Sequence, residues 1–352
     1  MVEAFVEGVR GTVTVVVRNE SSFVGLRELG DVEVVALPEL LYGRFPANLK
    51  AARTLMKITE RATSLSVVGA DIMDGAYDWQ SAVTRSDTAR RAARTGLSTR
   101  VIGFSWNSRP HPKALRAVTR AGASGVRLLA RDSRSEQRLR ESHIQNVTSV
   151  TDIVFTSSAL TDDIDALGRL GTTDKPVVLL NASGLVGRST DQTAAYARLV
   201  ENLVEWGYDV GLLPHVIRTG GDDLAACRAV FDSLPQNIAE SATLIERLLR
   251  PREVRTLAAR AAFVVTGRMH LAVIALSQGV PSAVVSTQGK VDGLMEAFGI
   301  PDLVVQPDAI PSGALENAGA TLHQSLAERR DVIAARLPEV KRKAAINFDG
   351  LR

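Results

Sequence analysis

A single cysteine, Cys227, is all the thiol chemistry the chain possesses. It has no partner for a disulfide within the chain, and one thiol excludes both CxxC redox motifs and cysteine-built zinc sites. It lies in the helical pattern DDLAACRAVFDSL and reads as a small core residue. No run approaches the ~18 to 20 uninterrupted apolar residues of a membrane span. The opening MVEAFVEGVRG lacks a basic segment leading into an apolar one, so neither a transmembrane segment nor a secretion signal is expected and the chain reads as cytoplasmic. A basic run is missing too. Net charge is +3, although the pI is 9.2, and the basic residues are scattered among acidic ones with few aromatics (5%) between them. That excludes a dedicated nucleic-acid role. Arginine outnumbers lysine, the bias of a GC-rich bacterial genome.

What is present in quantity is apolar sequence. The 352 residues, 45% of them hydrophobic, exceed the roughly 250 to 300 at which one core stops growing, so two domains are expected. Short runs rich in Val, Ile and Leu alternate with longer helical patterns: TVTVVV (12–17), VEVVAL (32–37), SLSVVG (64–69), RVIGF (100–104), GVRLLA (125–130) and DIVF (152–155). Such runs indicate strands buried on both faces, the habit of parallel sheets. Between them lie helical patterns at 48–62, 88–96 and 111–122, giving an alternation of strand and helix. After the polar break at 162–175 the series restarts with PVVLLNASG (176–184), YDVGLLP (208–214), AAFVVTG (261–267), PSAVVS (281–286) and DLVVQ (302–306). The expected architecture is α/β, with two doubly wound Rossmann-like domains facing a cleft, over 1–165 and 176–335. A C-terminal run, 321–348, is helical in pattern and broken at Pro338, so that 336–352 forms a last helix.

In such sheets the ligand lies beyond the carboxyl ends of the strands. AAFVVTG ends there at Gly267, which puts Arg268 and His270 in the first turn of a helix whose N-terminal N–H groups favour an anion. One strand later Gly289 and Lys290 stand at the head of VDGLMEAFG. If the two strands are neighbours, these side chains share one crevice. Arginine fits a carboxylate or phosphate in bidentate fashion, lysine adds a point charge, and histidine moves a proton near neutral pH. A small polyanion is the natural guest. The plainer alternative has Arg268 and His270 capping the helix or reaching nearby carbonyls. Asp71, at the end of SLSVVGA, and Asp74 after it stand at the carboxyl end of a strand, where Asp71 on its own reads as a turn aspartate. In RDSRSE, Ser133 and Glu136 form a capping box and Asp132 suits the same helix start, which leaves Arg131 as a ligand contact. His215 ends another strand, but Asp222 and Asp223 beside it look like capping residues, and these three stay outside the candidate set.

Segment 262–300, with Gly-Arg-Met-His, Gly-Val-Pro and Gly-Lys-Val-x-Gly-Leu-Met, resembles the C-terminal signature of the polysaccharide pyruvyl transferase family. VVGADIMDG (67–75) resembles its Gly-Gly-Asp segment and VRLLARDSRSEQRLRE (126–141) its Arg-Asp-x-x-Ser segment, so the likeness covers nearly the whole chain. The resemblance implies a glycosyltransferase-B-like pair of Rossmann domains, with the acceptor on the first and phosphoenolpyruvate on the second. It also implies transfer of pyruvate from phosphoenolpyruvate to a sugar of a cell-envelope polysaccharide or lipid-linked precursor, as a ketal with release of phosphate, at the inner face of the membrane. Arg268, Lys290, Arg131, Gly267 and Gly289 would bind substrate, His270 would act as general acid and Asp71 as base; the donor is a substrate, and neither cofactor nor metal is expected. The last helix would cross back onto the first domain.

The match has one departure. Family members open with a strand and a Gly-rich loop, whereas MVEAFVEGV reads as the helix that follows, so the first domain is expected to lack its first strand; Gly69-Ala70 also stands where the family has Gly-Gly. Two other readings fit the same architecture: a nucleotide-sugar glycosyltransferase, and a non-catalytic anion- or sugar-binding homologue. Neither the particular sugar nor the oligomeric state is legible.

Overall fold

The computed structural model describes residues 1–19, 26–43, 46–161, 170, 173–217, 222–286 and 291–351. Contacts divide the chain into two compact units, one of residues 1–157 with 340–352, the other of residues 158–339.

The first unit contains α1 (Val2–Gly8), β1 (Val13–Val17), β2 (Val32–Ala36), α2 (Glu39–Tyr42), α3 (Ala47–Thr59), β3 (Ser64–Ala70), α4 (Trp79–Arg94), β4 (Ser98–Phe104), α5 (Pro112–Ala123), β5 (Arg127–Ala130), α6 (Ser133–Glu141) and β6 (Val147–Ser149). Every pairing is parallel, and among the described residues the strands form two sheets, β1-β2 and β3-β4-β5-β6. On one face of the larger sheet Met73, Ala89, Trp106, Val118 and Leu139 pack into a closed core. On the other, Ala4 of α1 meets Ile102, Leu129, Val150 and Ile153. The carboxyl-terminal residues join this unit: Asn347 Nδ2 donates to the Thr151 carbonyl (3.0 Å), Thr151 Oγ1 donates to the Val340 carbonyl (2.6 Å), and Phe348 stacks on Phe5.

The second unit contains β7 (Val177–Asn181), α7 (Thr193–Glu205), β8 (Asp209–Leu212), α8 (Asp223–Asp232), α9 (Gln236–Ala239), β9 (Ala242–Leu244), α10 (Pro251–Arg260), β10 (Ala261–Thr266), α11 (Met269–Ser277), β11 (Ser282–Val285), α12 (Asp292–Phe298), β12 (Val304–Val305), α13 (Ala314–Gln324) and α14 (Leu326–Ala345), the last of which continues into the first unit. Among the described residues its six strands pair in parallel in the order β12-β11-β10-β7-β8-β9. β7, β8, β10 and β11 are buried along their whole length, which is why their sequences read as unbroken apolar runs. The chain winds outward from β7 to β9, then returns to β10 on the other side of β7. The switch point of the sheet therefore lies between β7 and β10, where a doubly wound fold opens its crevice.

Two expectations need correction, and one strand goes beyond them. DIVF is no strand: Asp152 Oδ1 accepts from the Val154 N–H (3.0 Å) and winds residues 153–156 into a 3-10 turn, while the strand is the polar-looking VTS of β6. Strand β9 was not anticipated, because three residues at a sheet edge carry too short a pattern. Pro338 does not break the helix. α14 runs through it, and the interruption falls instead at Ser325, where α13 ends. The residues around Pro338 are mostly strong helix formers, and they outweigh the missing N–H and ring clash that cost about 3 kcal/mol in a helix interior.

Candidate functional site

Two polar centres lie at carboxyl ends of strands, one in each unit.

In the second unit, β10 delivers Gly267, Arg268 and His270 to the switch point. Gly267 is glycine for steric reasons: a Cβ there would come within 2.5 Å of Ser183 Cβ, so only a glycine lets the turn after β10 lie against the turn after β7. Thr266 Oγ1 accepts from the Arg268 N–H (2.9 Å) and starts α11. The Arg268 guanidinium then turns onto Asp223, donating from Nε to both carboxylate oxygens (3.1 and 3.0 Å) and from Nη2 to Oδ1 (2.6 Å).

Asp223 is the residue that sequence reasoning missed. Only its neighbour Asp222 caps α8, accepting from the Leu224 N–H (2.8 Å). Asp223 is fully buried and gathers donors from three strand ends: Gly184 N (2.9 Å) and Asn181 Nδ2 (3.3 Å) after β7, His215 N (3.2 Å) and Val216 N (2.9 Å) after β8, and Arg268 after β10. The only signal in the sequence was the doublet itself, two acids at a helix start where one suffices as a cap.

His215 stands beside this hub. Burial, then the neighbouring His270 and Arg268, lower its pKa to about 4 against the opposing effect of Asp223. The imidazole is therefore neutral at pH 7. In the unfolded chain it takes up a proton near its ordinary 6.5, so below that pH the unfolded state binds more protons than the folded one. Stability then falls as pH drops from 6.5 to about 4 and changes no further through this group below that. The loss should be about 1–3 kcal/mol, and urea unfolding at pH 7 and pH 5 should show it in the native chain and a flatter dependence in His215→Gln. An identical dependence in the two chains would contradict this assignment. Cys227 is a core residue, fully buried with Sγ against the Ala182 carbonyl (3.7 Å) and its thiol pushed up to about 12 by burial.

The β10 and β11 strands are direct neighbours. The other residues expected there, Gly289 and Lys290, lie outside the described residues.

In the first unit, Arg131 and Asp71 are brought together. A Cβ on Gly69 would meet Phe104 Cβ at 2.5 Å, and Ala70 takes a left-handed φ of +44° that glycine adopts at lower cost. This bend carries Asp71 to Arg131. The Arg131 side chain has no exposed surface; it donates to Asp71 Oδ1 from Nη2, to Asp152 Oδ2 from Nη1 (2.9 Å) and to Ser105 Oγ from Nε (2.8 Å). Burial opposes its charge, but Asp71, Asp152 and Asp132 outweigh that and hold its pKa above the ordinary arginine value. Arg131 is thus enclosed by protein groups, whereas Asp71 keeps a side chain 32% exposed. The α6 cap is Asp132, accepting from the Ser135 N–H (2.7 Å), and Ser133 is the first helical residue, so the expected capping box with Glu136 is replaced by an aspartate cap. Asp74 is buried, accepting from the Ala76 N–H (2.9 Å).

Among the described residues no group of three or more His, Cys, Asp or Glu side chains is arranged to hold a metal ion, and no helix is long and apolar enough to cross a membrane.

Parallel sheets covered by helices, the second of them doubly wound, make this an α/β protein, and the solved structures it resembles give it the two-Rossmann, glycosyltransferase-B type of fold. The chain belongs to the polysaccharide pyruvyl transferase family, whose model matches residues 15–289. Solved structures with a similar fold include a UDP-GlcNAc 2-epimerase from Neisseria meningitidis bound to UDP-GlcNAc, with a TM-score of 0.63 and 11% identity over 98% of this chain and 94% of that one. The glycotransferase of kitacinnamycin matches with a TM-score of 0.54 and 15% identity, over 99% and 94% of the two chains. The calicheamicin glycosyltransferase matches with a TM-score of 0.54 and 15% identity, over 97% and 90%. No curated protein matches the sequence.

Proposed function

We propose that the chain transfers the pyruvate skeleton of phosphoenolpyruvate to two hydroxyls of a saccharide, forming a ketal and releasing phosphate. The acceptor would be a sugar of a cell-envelope polysaccharide or its lipid-linked precursor, met at the inner face of the membrane. The observation that carries the reading is the placement of Arg268 and His270 at the β7/β10 switch point, at the head of α11, in a chain of this family. Phosphoenolpyruvate offers a carboxylate and a phosphate on three carbons, and a fixed guanidinium at a helix N-terminus suits either group.

In this reading Arg268 and Lys290 hold the anionic groups, with Gly267 and Gly289 bringing the backbone close, and Arg131, paired with Asp71, completes the substrate-binding set. His270 delivers a proton to the methylene carbon, a role typically worth ~10² to 10⁴ in rate. The cationic C2 so formed is attacked by one sugar hydroxyl, whose proton passes to a base. The C2–O bond to phosphate then breaks, phosphate leaves with its electron pair, and the second hydroxyl closes the ring with loss of its proton. Asp71 is the proposed base. Two protons leave the sugar: one is gained by the methyl carbon through His270, and the other is passed from the base to the departing phosphate, which is released as hydrogen phosphate. No cofactor takes part.

Calorimetric titration of the intact chain tests the reading. Phosphoenolpyruvate should bind, nucleotide sugars should not, and inorganic phosphate should be released from phosphoenolpyruvate only when an acceptor saccharide is supplied. Binding of a nucleotide sugar with no response to phosphoenolpyruvate would replace pyruvyl transfer with glycosyl transfer.

A further inference from the structure

We propose that Asp223 is a positioning residue of the anion site, holding the Arg268 guanidinium in the one orientation that receives the donor; this rests on the assignment of Arg268 to that donor. A carboxylate buried without a trace of exposure would ordinarily be replaced by an apolar group or left beside water. Here it is retained and fully engaged. Its two oxygens collect donors from the ends of β7, β8 and β10, the central strands around the switch point. None of these partners is local except those of the turn leading into α8: Gly184 lies 39 positions away in sequence, Asn181 42, and Arg268 45. Asp223 also sits in the first turn of α8, where the helix N-terminus favours a negative charge.

The pairing is directional. Asp223 takes the Nε and Nη2 edge of Arg268, and a planar guanidinium gripped along one edge has no remaining freedom to rotate. The Arg268 side chain is 12% exposed, so it is not sealed in the interior as Asp223 is.

Two effects of removing the carboxylate oppose each other at an anion site. The neutral variant loses a repulsive charge, which favours an anion; it also loses the grip on Arg268 and the tie between the loops after β7 and β8, which disfavours one. Simple affinity of Asp223→Asn therefore does not separate them, whereas the contribution of Arg268 in each background does. If Asp223 positions Arg268, Arg268→Ala weakens phosphoenolpyruvate binding by about 100-fold in the native background and by less than threefold in the Asp223→Asn background. If Asp223 acts only as a charge, Arg268 is released from its neutralising partner, and Arg268→Ala costs as much or more when residue 223 is Asn.

The experiment is a calorimetric titration of phosphoenolpyruvate into the native chain, Asp223→Asn, Arg268→Ala and the double variant, with thermal melts recorded for all four. Beside it, the ¹⁵N-labelled native chain is examined for the Arg268 Nε–H resonance, assigned by its absence in Arg268→Ala. A positioned guanidinium shows an Nε–H protected from solvent exchange in the native chain and unprotected in Asp223→Asn. An Arg268 effect undiminished by Asp223→Asn overturns the proposal. Should Asp223→Asn fail to fold, a rapidly exchanging Nε–H in the native chain alone overturns it, and a protected one upholds it. Should the native chain bind no phosphoenolpyruvate, the functional reading falls while the resonance still decides whether Asp223 holds Arg268.

Discussion

Replacing Arg131 with methionine is expected to cost about 3–5 kcal/mol of folding stability, the penalty for removing one partner from a buried charge cluster. Arg131 has no exposed side-chain surface, and one of its partners, Asp152, is only 2% exposed. Methionine fills a similar volume, so the loss comes from electrostatics more than from a cavity. Asp152, which accepts from the Val154 N–H, would lose the buried Arg131 guanidinium, and Asp71 would lose the contact toward which β3 bends. Urea unfolding with fluorescence detection gives the number. Arg131→Met combined with Asp152→Asn should recover part of it, because the pair is removed together. A loss below about 1 kcal/mol would mean that the cluster is reached by water and that the charges are solvated one by one.

The second large effect belongs to Arg268. Its replacement by alanine should reduce phosphoenolpyruvate affinity by about 100-fold. A charge-assisted hydrogen bond contributes about 1.5–3 kcal/mol, and the change has a further consequence here. Without the guanidinium, the Asp223 carboxylate keeps its backbone donors but loses its cation, and its negative charge then repels the donor it formerly helped to receive. Arg268→Lys keeps the charge but not the planar fork, so it should restore less than a tenth of the lost affinity. Calorimetry measures both, with thermal melts to show that each variant is folded. Affinity in Arg268→Ala within threefold of the native value would place the donor elsewhere.

Much of the architecture could be read directly. β3, β4, β7, β10 and β11 all lie within one to three residues of the apolar runs that announced them. The buried strands of a parallel sheet must be apolar on both faces, and few other structures require that. The readings that failed were short or depended on polar detail. DIVF has the composition of a strand, but the side chain of Asp152 competes for the backbone N–H two residues on, which a propensity does not register. The three residues of β9 are a strand because β8 offers them a ladder.

The candidate site divides the same way. Arg268 and His270 were legible because a strand running into a helix is a local event, and the helix N-terminus gives that position its preference for anions. Asp223 was not legible. Beside Asp222 it has the local appearance of a capping residue, and nothing within a few positions distinguishes the two. The partners of Arg131 were equally out of sight: it is enclosed by Asp71, 60 positions away, and Asp152, 21 away.

The sequence by itself determined the α/β class, the alternation of strand and helix, the solitary core cysteine and the residues at the head of α11, since each follows from composition or from spacing over a few residues. Only the tertiary structure decided which charges pair. Pairing depends on which strand ends become neighbours, and in a doubly wound sheet those neighbours are set by crossovers that bring together residues tens of positions apart. Burial then makes the choice of partner binding, because a carboxylate removed from water has to find its donors wherever the fold has placed them.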